Sequence, residues 1–391
     1  MRATTLRLVA PGLTKTFGRS RASSSFLWHA HPRQLSTAPI KGEDENKKLP
    51  PAPTTLTPTT ATATALKDST LRGVGQVLFL NSPTCGLITL GGLAVGDPYL
   101  SFLAATGAIT ATAIAQGAGL DRTALKDGLW GYNGCLVGCA AAVFVSPLPT
   151  TAAVMSLSLS AAAKGMATTV VGSAATPFVA AALKPALGSV PQFTLAFNMV
   201  TLSMLLRSRP LLPSSSASSS SEPLVETATA AAVDTTGIMD VVLNAPLQGI
   251  SQIFVVESSL AGAVILGGIA YYSRGLAGHT LLGSSIGAAA GLALGADMSA
   301  ISMGLWGFNS ALTSLGVGVF FKHSPQVVVL SAGGAVATAA VFGAMSTMFG
   351  AYGSPCLTLP FCMTMSGCYL LADTMPGLQL ARSPHSPEQN D

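Results

Sequence analysis

Two glutamines and two threonines are the residues of this sequence whose chemistry most needs an explanation. Gln76 precedes the apolar run Val77-Leu78-Phe79-Leu80, and Gln252 precedes Ile253-Phe254-Val255-Val256. A primary amide moved into an apolar medium costs roughly 2–7 kcal/mol unless its carbonyl and its NH2 group find partners, so neither side chain belongs against lipid. Two readings stand. Either each amide ties a turn to its neighbour, or its carbonyl oxygen faces a polar path and accepts hydrogen bonds from a passing N–H donor. Thr194 and Thr358 pose the same choice, in Pro191-Gln192-Phe193-Thr194-Leu195-Ala196-Phe197 and Pro355-Cys356-Leu357-Thr358-Leu359-Pro360-Phe361. A threonine in an apolar helix ordinarily donates to the carbonyl one turn back, and a matched pair is also able to supply a central polar contact.

The pairing has a cause in the chain itself. Gly128-Leu129-Trp130-Gly131-Tyr132-Asn133-Gly134 and Gly304-Leu305-Trp306-Gly307-Phe308-Asn309-Ser310 are two copies of one phrase, each followed by a leucine, Leu136 or Leu312, at an offset of 304 − 128 = 176. The same offset joins Gln76 to Gln252 and Gly86 to Gly262, while the threonines lie 358 − 194 = 164 apart. The chain is an internal duplication, with extra residues between the anchors of its first copy. Leu136 and Leu312 are ordinary packing residues by type. Trp130 and Trp306 fit interface anchors, although an identical phrase argues for a shared packing role.

The elements that must hold these residues are membrane helices. The chain has 391 residues, of which 49% are hydrophobic and only 9% charged, and its mean hydropathy is +0.54. A soluble domain carries about a quarter charged residues. Long stretches such as 73–121 contain no lysine or arginine, and about 20 mainly apolar residues are enough to cross a bilayer. Spans are expected near 84–96, 98–120, 126–146, 150–187 and 191–206, then near 259–273, 277–296, 300–322, 326–349 and 357–374. The span at 150–187 is long enough for a broken helix, with Gly165, Gly172 and Pro177 as candidate breaks. Each copy opens on a shorter segment, near 71–80 and 238–256, that suits a re-entrant helix.

Five crossings per copy is odd, so the second copy must enter the bilayer upside down. The expected fold is therefore an all-α polytopic membrane protein: an inverted repeat of two five-helix halves, each with a tilted re-entrant helix, around a central pore. The domains read as an arm or transit peptide over 1–68, a first transmembrane repeat over 69–207, a Ser-rich linker over 208–236, a second repeat over 237–376 and a tail over 377–391. The first forty residues are basic and free of acid, the composition of an organelle transit peptide, and a disordered cytosolic arm has the same signature. Lys67, Arg72, Arg122, Lys126, Lys184, Arg274, Lys322 and Arg382 collect on one side, against Arg207 and Arg209 on the other, which puts both ends on the cytoplasmic side or its organelle equivalent.

Several classes of function are excluded. A net charge of +4, scattered along the chain, does not suit nucleic acid. The spans carry almost no acid besides Glu257, so no chain of carboxylates couples transport to protons or sodium. Neither a phosphate-binding loop nor a nucleophile or zinc cluster is present, so neither ATP, a cofactor nor an enzyme site is expected. Cys85, Cys135, Cys139, Cys356, Cys362 and Cys368 all fall in apolar stretches and read as small packing residues. His279 and His323 do not occupy matching places, which argues against the paired histidines of an ammonium channel. A neutral path with hydrogen-bonding walls favours a small, uncharged, polar solute.

The paired phrases, the segments Val74-Gly75-Gln76-Val77 and Ile250-Ser251-Gln252-Ile253, and Thr358-Leu359-Pro360-Phe361 resemble the urea transporter family over roughly 70–206 and 238–375. The resemblance implies ten transmembrane helices with two tilted re-entrant helices, a homotrimer with one pore in each protomer, and passive, channel-like movement of urea down its gradient. It places Gln76 with Val77 and Gln252 with Ile253 near the two mouths, Phe79 with Leu136 and Val255 with Leu312 along two slots, and Thr194 with Thr358 at the middle. Two positions depart from the internal match: Val255 where Phe79 predicts an aromatic, and Ala196 where Pro360 predicts a proline. The first departure predicts a wider second slot. A channel for ammonia, small amides or water, and an ion-coupled carrier of a small polar solute, are the rival readings.

Overall fold

The computed structural model describes residues 58–147, 155–207 and 244–390. The Ser-rich linker and most of the expected arm lie outside these residues. The first half comprises α1 (Pro58–Gln76), α2 (Pro83–Gly96), α3 (Pro98–Gly117), α4 (Arg122–Lys126), α5 (Tyr132–Ala140, continued by a π-helical turn over Ala141–Val145), α6 (Met155–Leu187) and α7 (Leu195–Arg207). The second comprises α8 (Asn244–Phe254, ending in a 3-10 turn over Gln252–Phe254), α9 (Ser259–Tyr272), α10 (Arg274–Ala293), α11 (Met298–Ser302), α12 (Phe308–Phe320), α13 (Pro325–Gly350) and α14 (Leu359–Leu371). Among the described residues there is no strand, only an isolated antiparallel bridge between Phe321 and Leu380. The protein is all-α and polytopic.

The element bounds repeat as the motifs do. Both ends of α2, α3 and α4 recur as those of α9, α10 and α11 at an offset of 259 − 83 = 176, and both ends of α7 recur as those of α14 at 359 − 195 = 164. The starts are fixed by side-chain caps: Ser82, Asp97 and Asp121 in the first half, Ser258, Ser273 and Asp297 in the second, each accepting a first-turn N–H.

The ten longer apolar helices after α1 and α8 fall where the ten spans are expected, with three differences. Expected spans 126–146 and 300–322 become helical only from Tyr132 and Phe308, each after a one-turn helix (α4 or α11), because Gly128 (φ +74°) and Gly304 (φ +78°) turn the chain in the left-handed region. A Cβ there would lie 2.4 Å from the Gly73 nitrogen and 2.3 Å from the Gly249 nitrogen. Only glycine lets the duplicated phrase cross α1 and α8 this closely.

The second difference is α6, which runs unbroken through the candidate breaks at Gly165, Gly172 and Pro177. Proline at 177 leaves the Ser173 carbonyl without its helical donor. The Thr176 hydroxyl donates to that carbonyl instead, at 2.9 Å, so the ladder defect is repaired in place. Third, the expected short segment 71–80 holds only the last turns of a longer helix, since α1 runs from Pro58 to Gln76, and then the reversal that follows it.

Helix lengths divide into two groups. α3, α10, α13 and the 159–187 part of α6 are long and apolar enough to cross a membrane. α2, α5, α7, α12 and α14 are shorter, and a helix of 14 residues such as α2 rises only about 21 Å, less than the ~30 Å apolar layer. α8 and α9 meet at a bend of 78°. Short helices therefore begin or end inside the layer, where loose backbone groups must be satisfied by protein.

The halves share one core. A single buried cluster includes Val74, Leu136 and Phe197 from the first and Phe254, Leu312 and Phe361 from the second. α2 lies against α9 reciprocally: Gly92 faces Val264 and Ile265, and Gly268 faces Ile88. All six cysteines are buried and unpaired. Gly86 and Gly262 let α2 and α9 touch the preceding helix, since a Cβ would lie 1.8 Å from the Leu71 carbonyl oxygen and 2.0 Å from that of Leu247. Gly86→Ala or Gly262→Ala therefore forces backbone apart, at a cost of about 1–3 kcal/mol. The expected outcome is a lower melting temperature of the detergent-solubilised protein, with Gly91→Ala, which has open space around it, as the silent control.

Candidate functional site

The reversals after α1 and α8 are alike. The Leu80 N–H returns to the Gly75 carbonyl at 3.0 Å and the Val256 N–H to the Ser251 carbonyl at 3.3 Å, through Phe79 at φ +60° and Val255 at φ +62°. Left-handed backbone is costly for an aromatic and more so for a β-branched residue, and such strain collects at functional sites. Phe193 (φ +46°) and Leu357 (φ +52°), just ahead of Thr194 and Thr358, are held the same way, and they lie 164 apart like the threonines. Each half thus places two left-handed residues, Phe79 with Phe193 and Val255 with Leu357, in this region.

Two cavities follow from this geometry. The first, about 50 Å³, is walled by Gln76, Val77, Phe79, Leu129, Tyr132, Pro191, Gln192, Phe193, Thr194 and Phe320. The second, about 220 Å³, has Gln252, Ile253, Val255, Leu305, Phe308, Pro355, Cys356, Leu357, Thr358 and Phe144 at the matching places, with Phe197, Phe342, Ser346 and Ser354 besides. The first cavity is lined by its own half except for the ring of Phe320, and the second by its own half except for the rings of Phe144 and Phe197. Phe144 and Phe320 are themselves 320 − 144 = 176 apart.

The cavities adjoin at the threonines. Thr194 and Thr358 are 4% and 3% exposed, and their hydroxyls lie 2.7 Å apart. Asn198 braces the pair: its Nδ2 donates to the Thr358 hydroxyl and to the Thr194 carbonyl, both at 2.9 Å, and its Oδ1 accepts the Thr358 N–H at 3.1 Å. The matching place in the second half holds Cys362, whose sulfur is 3.2 Å from the Thr194 hydroxyl. The centre is polar, uncharged and unlike on its two sides.

The glutamines differ in setting. Gln76 Nε2 donates to the Asp127 carbonyl at 2.8 Å. A carbonyl accepts only from the NH2 end, so the Gln76 oxygen is the end left to the cavity. Behind it, Arg72 Nη1 donates to the Asn81 side-chain oxygen at 2.8 Å and Asn81 Nδ2 to the Asp127 carboxylate at 3.1 Å. The second half has Gln248, Glu257 and Met303 at those places, whose residue types do not repeat this network. Gln252 is buried in the wall, and Glu257 is exposed at the turn between α8 and α9.

Leu136 and Leu312 lie in the buried core on α5 and α12 and line neither cavity. Residues that sequence reasoning left aside stand closer. In the first cavity the rings of Phe79 and Phe320 meet edge to face at 5.5 Å, Phe193 and Phe320 at 5.8 Å, and Phe193 and Phe361 at 5.4 Å. Val255 and Leu357 replace Phe79 and Phe193 in the second, which is the wider cavity. The Gln192 Oε1 atom and the Ser354 hydroxyl are buried without a hydrogen-bond partner among the described residues, one in each wall. The recurrence of Phe144 at 320, visible in the sequence, was the available signal for the exchanged rings.

The asparagine of the duplicated phrase explains its recurrence. Asn133 Oδ1 accepts the Phe197 N–H at 3.1 Å and Asn309 Oδ1 accepts the Phe361 N–H at 3.2 Å. Those donors are in the first turns of α7 and α14, which have no intrahelical partners. Each phrase thus caps the helix that carries its threonine. Tyr132 adds a 2.6 Å bond to the Phe193 carbonyl, and where Phe308 lacks a hydroxyl, Asn309 Nδ2 reaches the Leu357 carbonyl at 3.2 Å. Trp130 is buried with its Nε1 donating to the Asp121 carbonyl at 3.1 Å, and Trp306 meets Phe342 edge to face, so both are packing residues.

Comparison with known proteins bears on this arrangement. The sequence model of the urea transporter family, described as "Urea transporter", matches residues 67–373. Urea transporter 1 of Ovis aries is 31% identical over 326 residues, covering 80% of this chain and 78% of the relative. Urea transporter 1 of Rattus norvegicus is 30% identical over 335 residues with the same coverage.

Asn133→Leu keeps the side-chain volume but leaves the Phe197 N–H buried and unpaired, which costs about 1–3 kcal/mol. Its melting temperature in detergent is expected to fall, whereas Asn133→Asp, which retains the acceptor, is expected to fall less. Equal losses for the two would place the role of Asn133 in packing alone.

Proposed function

The chain belongs to the urea transporter family, and we propose from that premise that urea crosses the membrane passively along the line Gln76, Thr194, Thr358 and Gln252. The observation that carries the proposal is the pair of matching cavities meeting at a hydrogen-bonded threonine pair. The protein is a channel-like transporter in a multi-pass membrane fold and not an enzyme.

Urea is flat, with four N–H donors and one carbonyl, and it sheds water at tolerable cost only where fixed acceptors stand along its route. The Gln76 and Gln252 oxygens serve the mouths and the threonine hydroxyls the centre. Val77, Phe79, Ile253 and Val255 supply apolar flanks against which the flat face slides, while Leu136 and Leu312 lie in the core and line neither cavity. Hydrated ions lose far more on entering such a slot. α7 and α14 also point their N-termini at the centre, and the partial positive charge there disfavours ammonium and sodium. The absence of charge from the path keeps binding weak enough for fast release.

The two halves are proposed to run in opposite senses across the bilayer. Support comes from the odd number of crossings in each, the reciprocal contact of α2 with α9, and the exchanged rings of Phe144 and Phe320. On this arrangement the glutamines guard opposite faces. A homotrimer with one path per protomer, which the resemblance implies, is part of the proposal. The acid-free basic opening of the chain supports an organelle membrane, and the helical body suits the plasma membrane equally. Ion-coupled carriage and an ammonia or water channel are not favoured.

Purified protein in liposomes tests this by light-scattering measurement of urea efflux. Efflux indifferent to an imposed proton or sodium gradient is expected; efflux that appears only with the gradient overturns the passive mechanism. Gln76→Leu is expected to lower urea flux per folded protein about tenfold, the equivalent of ~1.4 kcal/mol for one lost acceptor. Unchanged flux would return Gln76 to a tie between α1 and the Asp127 loop.

A further inference from the structure

The segment after α14 is built into the fold. Leu378 and Ala381 are buried, the Lys322 N–H donates to the Gln379 carbonyl at 2.8 Å, and the Ala381 N–H donates to the Phe320 carbonyl at 2.9 Å. Asn390 then turns one amide onto the end of α12: its Nδ2 lies 3.2 Å from the Gly318 carbonyl, 2.9 Å from that of Val319 and 2.9 Å from that of Phe321. The last carbonyls of a helix have no intrahelical donor. Here the tail supplies the donors for residues 318–321.

Two residues away, Glu388 sits at the start of α10. It accepts from the Ser273 hydroxyl and from the Gly275 N–H, both at 2.6 Å. Burial works against its charge, but these donors outweigh burial and hold its pKa down to about 2. A carboxylate is also favoured at a helix N-terminus. The tail thus bridges the start of α10 to the end of α12.

The first half makes the same bridge without a tail. Tyr99, at the start of α3, pairs its hydroxyl with that of Ser146 at 2.9 Å, and the Ser146 hydroxyl donates to the Ala141 carbonyl at the end of α5. An offset of 176 from Tyr99 and Ser146 gives Gly275 and Lys322, which cannot form that tie. Glu388 and Asn390 occupy the role that the missing tyrosine and serine leave open. Next to the bridged carbonyls is Phe320, the ring that crosses into the first cavity and meets Phe79 and Phe193.

We propose that Asn390 and Glu388 are positioning residues for the first mouth: the docked tail fixes the end of α12, hence Phe320, hence how closely the aromatic slot fits the passing solute. The inference rests on the urea path described above. With the tail undocked, Phe320 gains freedom and the slot admits bulkier ureas.

The test compares permeabilities to urea and 1,3-dimethylurea in liposomes holding the full chain. Asn390→Leu removes the amide, Glu388→Gln removes the charge, and Gly275→Val acts from the body side, where even a Cβ would meet Glu388 and Pro387 at 2.9–3.2 Å. The ratio of dimethylurea to urea permeability is expected to rise at least threefold in Asn390→Leu and to rise in the other two. Whichever variants fold decide the matter. An unchanged ratio overturns the proposal, including a uniform fall in both permeabilities, which would mark the tail as a stability element only. Wild-type protein that passes no urea would overturn the transport reading instead. The tail would then be judged by hydrogen exchange: faster exchange of the 316–321 amides in Asn390→Leu supports the docking, and unchanged exchange overturns it.

Discussion

Every peptide group that this chain carries into an apolar layer must be satisfied by the chain itself, because neither lipid nor bulk water supplies a partner there. The short helices make the constraint acute. α5, α7, α12 and α14 have ends at depth, and each such end exposes up to four N–H or C=O groups. The solutions are visible one by one. Asn133 and Asn309 meet the first turns of α7 and α14, and Thr176 meets the carbonyl that Pro177 abandons. What stands unmatched in the cavity walls is then meaningful. Among the described residues the Gln192 oxygen and the Ser354 hydroxyl lack partners, while Gln76 gives its amide nitrogen to the Asp127 carbonyl.

Duplication explains the scaffold but not the whole site. Helix bounds, caps and left-handed residues recur at the two offsets, so the backbone is nearly the same object twice. Side chains have diverged where the halves meet. Phe79 and Phe193 face Phe320 and Phe361 in a tight aromatic slot, while Val255 and Leu357 leave the opposite cavity several times larger. Asn198 on one side of the threonine pair and Cys362 on the other give it one strong donor and one weak sulfur partner. On the proposed path a solute meets one narrow mouth and one wide one.

The sequence carried the class of fold in its composition and the duplication in its repeated phrases. The ten apolar stretches were readable, as were the glutamines and threonines. Boundaries inside the spans at 126–146 and 300–322 were not. Hydropathy does not register a glycine turn, and Gly128 and Gly304 break the helix for a reason that depends on α1 and α8 passing against them. Likewise Pro177 read as a break because its repair by Thr176 depends on a rotamer. The tail, polar and short, gave no sign of docking: its donors matter only beside carbonyls more than sixty residues earlier in the chain.

Alone, then, the sequence determined that this is a duplicated membrane protein with matched polar residues and few charges in its apolar stretches, since composition and spacing are properties of a string. The tertiary structure decided which atoms of the two copies meet. It brought Thr194 to Thr358, sent Phe144 and Phe320 into each other's cavities, left Leu136 and Leu312 in the core, and closed α12 with Asn390. Those meetings depend on distances of a few ångströms between residues far apart in the chain, and an offset along a sequence does not contain them.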